Sequence, residues 1–150
     1  MATTREIADD YSQTYHYFNT FGGNPVSAAV GKAVIEVIED EGLLQNAAST
    51  GAYLESGLRE LAGNHTCIGD VQGRGLFWGL DMVTDPATRE PMSEAQMRHL
   101  GSLIVEQGVI TGTSGRYGQV LKLRPPLPFS RSDADLTLNA IDVALTRLAR

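Results

Sequence analysis

The arrangement in this chain best suited to chemistry is a hydroxyl followed by two glycines and a helix-starting pair. It lies at Thr20-Phe21-Gly22-Gly23-Asn24-Pro25. Asn24 is an effective N-cap, and Pro25 fits the first helical position, where a missing N–H costs nothing. Gly22 and Gly23 let the backbone turn tightly or approach a ligand closely. Thr20 can offer its hydroxyl and its amide to a phosphate beside the helix N-terminus, with Asn19 contributing from the next position. The plain alternative is a helix start behind a glycine turn, with Thr20 satisfying local backbone.

A second candidate lies in Val120-Leu121-Lys122-Leu123-Arg124-Pro125-Pro126. Lys122 and Arg124 hold alternate positions of a strand, so they point to one face and together suit an anionic group. Two solvated cations on a strand edge are the structural alternative. Gly73-Arg74-Gly75 has no helix after it, which makes it a tight turn between strands rather than a phosphate loop, with Arg74 in a structural ion pair. Phe77 and Trp78 read as core or interface packing. His16, His65 and His99 lack ligand spacing and Cys67 stands alone, so no metal site is expected.

The elements that must position these residues follow from periodicity. Residues 1–19 are polar and aromatic without a clean period. Tyr11, Tyr15, Tyr17, Phe18 and Phe21 suit a surface covered by a partner or another domain. Val26, Val30, Val34, Val37 and Ile38 give a helix over 25–41, rich enough in β-branched residues that packing must hold it. Gly42 ends it. A second helix, Leu43 to Leu61, carries Leu44, Ala47, Gly51, Leu54, Leu58 and Leu61 on one face. Strands are predicted at 68–72 and 76–83, then a helix from the Ser93-Glu94-Ala95-Gln96 capping box to Gln107. Strands at 109–113 and 119–124 flank the Ser114-Gly115 turn. The last helix is capped at Ser132-Asp133-Ala134-Asp135, with Leu138, Ile141, Leu145 and Leu148 inward. This order predicts an α+β fold: a small, largely antiparallel sheet with helices packed on one face.

Three blocks in order resemble the class III aminotransferases, which are fold-type I enzymes using pyridoxal 5′-phosphate (PLP). They are Thr20-Phe21-Gly22-Gly23-Asn24-Pro25, Gly69-Asp70-Val71-Gln72-Gly73-Arg74-Gly75-Leu76-Phe77, and Val120-Leu121-Lys122-Leu123-Arg124-Pro125-Pro126-Leu127. The resemblance spans roughly 17–148 and concerns the C-terminal portion of such an enzyme. It implies that residues 1–24 are the tail end of the large PLP domain, and 25–150 the small domain entered by helix 25–41. It also implies a cytoplasmic homodimer in which Thr20 binds the cofactor phosphate of the neighbouring subunit, and a small-molecule amine or amino-acid substrate held at Lys122. The parent reaction would move an amino group between an amine and a keto acid.

The family's cofactor lysine lies upstream of the Thr20 block, and only Lys32 and Lys122 are present here. Lys32 reads as a solvated helix residue. The expectation is therefore no catalytic residue in this chain, no covalently held cofactor, and no activity from the fragment alone. Arginine commonly stands where Lys122 stands, because its planar fork grips carboxylate bidentately. Lysine departs from that pattern, and the blocks Phe18-Asn19-Thr20-Phe21-Gly22-Gly23-Asn24-Pro25 and Val120-Leu121-Lys122-Leu123-Arg124-Pro125-Pro126 resemble the ethanolamine-phosphate phospho-lyase branch, which eliminates phosphate from a phosphorylated amino alcohol. A non-catalytic interaction module is the remaining alternative.

Composition sets the outer limits. The 150 residues are 42% hydrophobic and 20% charged, ordinary for a soluble globular domain. A net charge of −6 with no basic stripe argues against general nucleic-acid binding. No apolar run approaches the ~20 residues that span a bilayer, and the first residues lack the apolar core of a secretory signal. A single cysteine fits a reducing compartment, and the Asn64-His65-Thr66 sequon is then incidental.

Overall fold

The computed structural model describes residues 3–149, which fall into two compact units, one ending at Ile38 and one beginning at Glu39.

The first unit contains α1 (Arg5–Thr14) and most of α2 (Pro25–Asp40). Helix α1 was not expected. Thr4 caps it by accepting from the Ile7 amide, and Tyr11 and Tyr15 stack with ring centroids 5.1 Å apart. Its signal was the N-cap threonine followed by Ile7, Tyr11 and Tyr15 at intervals of four. Helix α2 forms as predicted, ending at Asp40, but none of its side chains is buried. Val26, Val30, Val34 and Val37 are all exposed, so the apolar stripe is present without a cover.

The second unit holds α3 (Leu43–Asn64), β1 (Ile68–Arg74), β2 (Phe77–Asp85), β3 (Glu90–Pro91), α4 (Glu94–Glu106), β4 (Gly112–Ser114), β5 (Val120–Leu123) and α5 (Arg131–Leu148). Every pairing is antiparallel, in the order β1-β2-β5-β4, with β3 added beside the end of β2. Trp78, Leu80 and Met82 from β2 and Leu121 and Leu123 from β5 turn to one face. There they form a single core with residues of α3, α4 and α5. The expected α+β architecture is the one observed. Among the described residues no helix is long and apolar enough to cross a membrane.

Several local expectations change. Leu43, not Leu44, is buried on α3, together with Thr50, because the stripe of a straight helix falls one position earlier. β1 runs on to Arg74, so the reversal is only Gly75-Leu76, with Gly75 in the left-handed region. The strand expected at 109–113 begins only at Gly112. The cap of α5 is Ser130 rather than Ser132: its hydroxyl accepts from the Asp133 amide, while the Asp133 carboxylate accepts from the Ser130 amide. Leu138 and Leu148 are only partly buried, and Ala134, Ala140 and Ala144 fill α5's inner face instead. Small residues there let α3 and α5 approach closely.

Candidate functional site

The turn at 17–25 is organised by two asparagines. Asn19 Oδ1 accepts from the Phe21 amide at 3.1 Å, and its Nδ2 donates to the Tyr17 hydroxyl at 3.0 Å. Asn24 Oδ1 accepts from the amides of Val26 and Ser27, at 2.9 and 3.3 Å. With Pro25 at the first position, Asn24 thus consumes the free amides at the start of α2. The Gly22 and Asn24 amides donate to the carbonyls of Asn19 and Phe21. Among the described residues the Thr20 hydroxyl and the amides of Thr20 and Gly23 have no partner. A Cβ on Gly23 would meet nothing within 4 Å, so the turn is open on that side. The donor set therefore fits phosphate oxygens through Thr20 and Gly23, with Asn19 as brace. The ring of Phe21, 83% exposed, stands beside it.

The other candidate lies in the second unit, on the sheet face opposite the helices. Alternation places Phe77, Gly79 and Asp81 of β2 and Val120 and Lys122 of β5 around a cavity of about 540 Å³, joined by Gln72, Ser114 and Gln119. That volume suits a small-molecule ligand. Lys122 stands opposite Gly79 on one side and Gly112 on the other. A Cβ on Gly112 would come within 3.4 Å of Lys122 Cε, so the glycine leaves room for the lysine stem.

The cavity's charges are unequally satisfied. Asp81 Oδ1 accepts from Gln119 Nε2 at 3.1 Å, and its Oδ2 lies 3.7 Å from Arg89. Arg89 reaches it from a turn in which it adopts a positive φ of 57°. On β1, the Gln72 side chain and the Val71 amide, with Arg89 and Arg59 farther off, hold the Asp70 carboxyl below the usual range. Lys122 has no carboxylate partner among the described residues, which leaves it as the cation available to an anionic ligand.

Arg124 does not share that cavity. β5 ends at Leu123, and Arg124 opens the proline-rich loop, where it lines a separate cavity of about 270 Å³ with Ile110, Thr111, Pro125, Pro126 and Phe129. Strand alternation cannot be carried past the last paired residue. Arg74 is exposed and makes no ion pair among the described residues, against expectation. Trp78 is buried as expected and donates Nε1–H to the Gly75 carbonyl at 2.6 Å, closing the reversal. Phe77 is exposed. Lys32 is a surface residue paired with Glu36. Asp81 and Gln119 were not singled out from the sequence. For Asp81 the signal was a lone carboxylate in an apolar strand, on the same parity as Phe77 and Gly79.

The chain is similar to known proteins along nearly its whole length. The family profile described as Aminotransferase class-III matches residues 1–145. Ethanolamine-phosphate phospho-lyase homolog 1 of Caenorhabditis elegans is 41% identical over 150 residues, covering 100% of this chain and 32% of that protein. The structure of a phospholyase from Arthrobacter in complex with phosphoethanolamine superimposes with a TM-score of 0.86 at 38% identity, over 96% of this chain and 34% of that one. An amine transaminase from an uncultivated Pseudomonas species, in its PLP-bound form, gives a TM-score of 0.83 at 32% identity, again over 96% and 34%. The chain thus spans about a third of the length of these relatives. With the profile matched along nearly its whole length, the chain belongs to the class III aminotransferase family.

Proposed function

We propose that this chain is the C-terminal portion of a PLP-dependent class III enzyme that transfers an amino group between an amine or amino acid and a keto acid. The observation that carries the reading is the 17–25 turn, whose unpartnered hydroxyl and amides suit a phosphate. On this reading residues 1–24 are the end of the large domain and 25–150 the small domain, and no catalytic residue lies within the chain. Thr20 donates to the cofactor phosphate of the neighbouring subunit of a homodimer, and Asn19 holds the turn. PLP, when bound, supplies an electron sink next to the substrate nitrogen. Lys122 holds the anionic group of the substrate on the open sheet face; Arg124, which lines the separate cavity beside the proline-rich loop, takes no part in that grip. The exposed apolar surface of α1, the turn and α2 suits burial by the rest of the dimer. A single cysteine, Cys67, fits a reducing compartment, and a cytoplasmic location is part of this reading.

One observation favours a second reading, phosphate elimination from a phosphorylated amino alcohol. Lys122 is a point charge without a carboxylate partner among the described residues, better matched to phosphate than to bidentate carboxylate recognition. The phospho-lyase names among the relatives agree with it.

The deciding experiment supplies the full-length enzyme with a phosphorylated amino alcohol, with and without a keto-acid acceptor. Amino transfer that depends on the acceptor supports the first reading. Release of inorganic phosphate without any acceptor replaces it with the second. Borohydride reduction of this chain with PLP is expected to leave its intact mass unchanged; a stoichiometric adduct at Lys32 or Lys122 would place the cofactor lysine within the chain and overturn the domain assignment.

A further inference from the structure

Among the described residues, the cavity on the open sheet face is lined by one cation and one carboxylate, Lys122 and Asp81. Gly79 pairs with Lys122 and Asp81 with Val120, so the two charged residues are diagonal neighbours on one face of the sheet. Such neighbours stand about 7–8 Å apart, within reach of a long side chain. No ion pair joins them among the described residues. Asp81 turns instead to Gln119, whose Nε2 donates to its Oδ1 at 3.1 Å, and toward Arg89, 3.7 Å from its Oδ2.

Gln119 is fixed in its turn. Its Oε1 accepts from the Tyr117 amide at 3.1 Å, so the amide nitrogen must be the end that faces the carboxylate. The Gln119 carbonyl accepts from the Met82 amide at 3.1 Å, which ties this residue to β2 beside Asp81. The one close donor to Asp81 is therefore neutral, and Arg89 stands beyond hydrogen-bond distance. The Asp81 side chain remains 29% exposed, with acceptor capacity to spare. The cavity thus holds an ammonium and a carboxylate that do not cancel each other by contact. A ligand's first anionic group finds Lys122. A second finds no further cation in the lining and one like charge.

We propose that Asp81 is a specificity-determining residue that limits the site to ligands with a single anionic group, taken by Lys122, and disfavours those carrying a second. Attraction at one residue and repulsion at its diagonal neighbour discriminate by their difference. The inference deepens the reading above and rests on it, since Lys122 must hold the anionic group of the substrate.

The test uses the full-length holoenzyme and two competitive inhibitors of equal chain length, valerate with one carboxylate and glutarate with two. Inhibition constants are measured against the amine substrate for the parent, Asp81→Asn and Lys122→Ala. They are defined whether turnover transfers the amino group or eliminates phosphate. Asp81→Asn keeps an oxygen for Gln119 and removes the charge; Asp81→Ser replaces it should that variant not fold. In the parent, glutarate is expected to bind more weakly than valerate. Asp81→Asn should tighten glutarate about tenfold and change valerate no more than about threefold. Lys122→Ala should weaken both ligands. If Asp81→Asn shifts the two inhibitors equally or not at all while Lys122→Ala weakens both, the inference alone is overturned. If Lys122→Ala leaves both constants unchanged, the substrate role of Lys122 fails and the inference fails with it.

Discussion

A Cβ placed on Gly51 would lie 2.3 Å from the carbonyl oxygen of Gly75. Helix α3 therefore meets the β1–β2 reversal backbone to backbone, and the same Gly75 carbonyl accepts from Trp78 Nε1. A carbonyl held by a buried indole cannot give way as a side chain can. Gly51→Ala gains about 0.5–1 kcal/mol in helix propensity but incurs about 1–3 kcal/mol of overpacking. Net destabilisation of about 1–2 kcal/mol is expected. Gly63, on the same helix with open space around it, provides the control: Gly63→Ala is expected to stabilise by about 0.5 kcal/mol. Urea midpoints of the two variants check the pair, and equal shifts would remove the close approach as the cause.

Much of this arrangement was legible because period and capping are local. The helix from Ser93 and the α2 cap at Asn24 both follow from residues within four positions of one another. What escaped the sequence depends on residues far apart. Asn46 reads as an ordinary helix residue, yet its side-chain amide donates to the carbonyls of Leu127 and Phe129 in the proline loop, at 2.7 and 3.0 Å. Arg124 reads as the partner of Lys122 until β5 loses its pairing at Leu123 and releases it. Helix α1 was missed for a different reason: its large apolar residues are one isoleucine and one tyrosine, both exposed, too few to read as a buried stripe. Lys122 and Thr20, by contrast, stood out through chemistry and neighbouring glycines.

Lys122 yields a prediction about substrate recognition in the full-length enzyme. Removing a charge-assisted contact costs about 1.5–3 kcal/mol, so Lys122→Ala should raise KM for the anionic substrate about 10- to 100-fold. Lys122→Arg restores the charge in a planar fork and should shift preference from phosphorylated amines toward carboxylate-bearing ones. Steady-state kinetics with one substrate of each kind measure both effects. A KM indifferent to Lys122→Ala would remove the residue from the substrate site.

Thr20 makes the corresponding prediction for the cofactor. Its hydroxyl has no partner among the described residues, so Thr20→Val should leave the turn intact, held as it is by Asn19 and Asn24. PLP affinity of the full-length enzyme should fall about tenfold or more, with Thr20→Ser close to the parent. Titration of the apo-enzyme followed by cofactor absorbance reads the difference. If Thr20→Val binds PLP as the parent does, the hydroxyl serves only the backbone.

Two exposed groups should shape the pH dependence of stability, from opposite ends. The Asp133 carboxyl accepts from the Ser130 hydroxyl at 2.6 Å and the Ser130 amide at 2.9 Å, which holds it below its ordinary value. A depressed value in the folded state means a contribution complete above about pH 4 and lost as pH falls through the folded value. The Tyr53 hydroxyl donates to Asp135 at 2.5 Å, and that hydrogen bond, with the carboxylate's charge, raises the phenol above its ordinary value. The sign is then reversed: the contribution is complete below about pH 10 and is lost as pH rises through the higher folded value. Asp133→Asn should therefore flatten the stability profile only on its acid limb, and Tyr53→Phe only on its alkaline limb. Urea midpoints taken across both limbs separate the two effects, and a Tyr53→Phe variant that alters the acid limb instead would break the assignment.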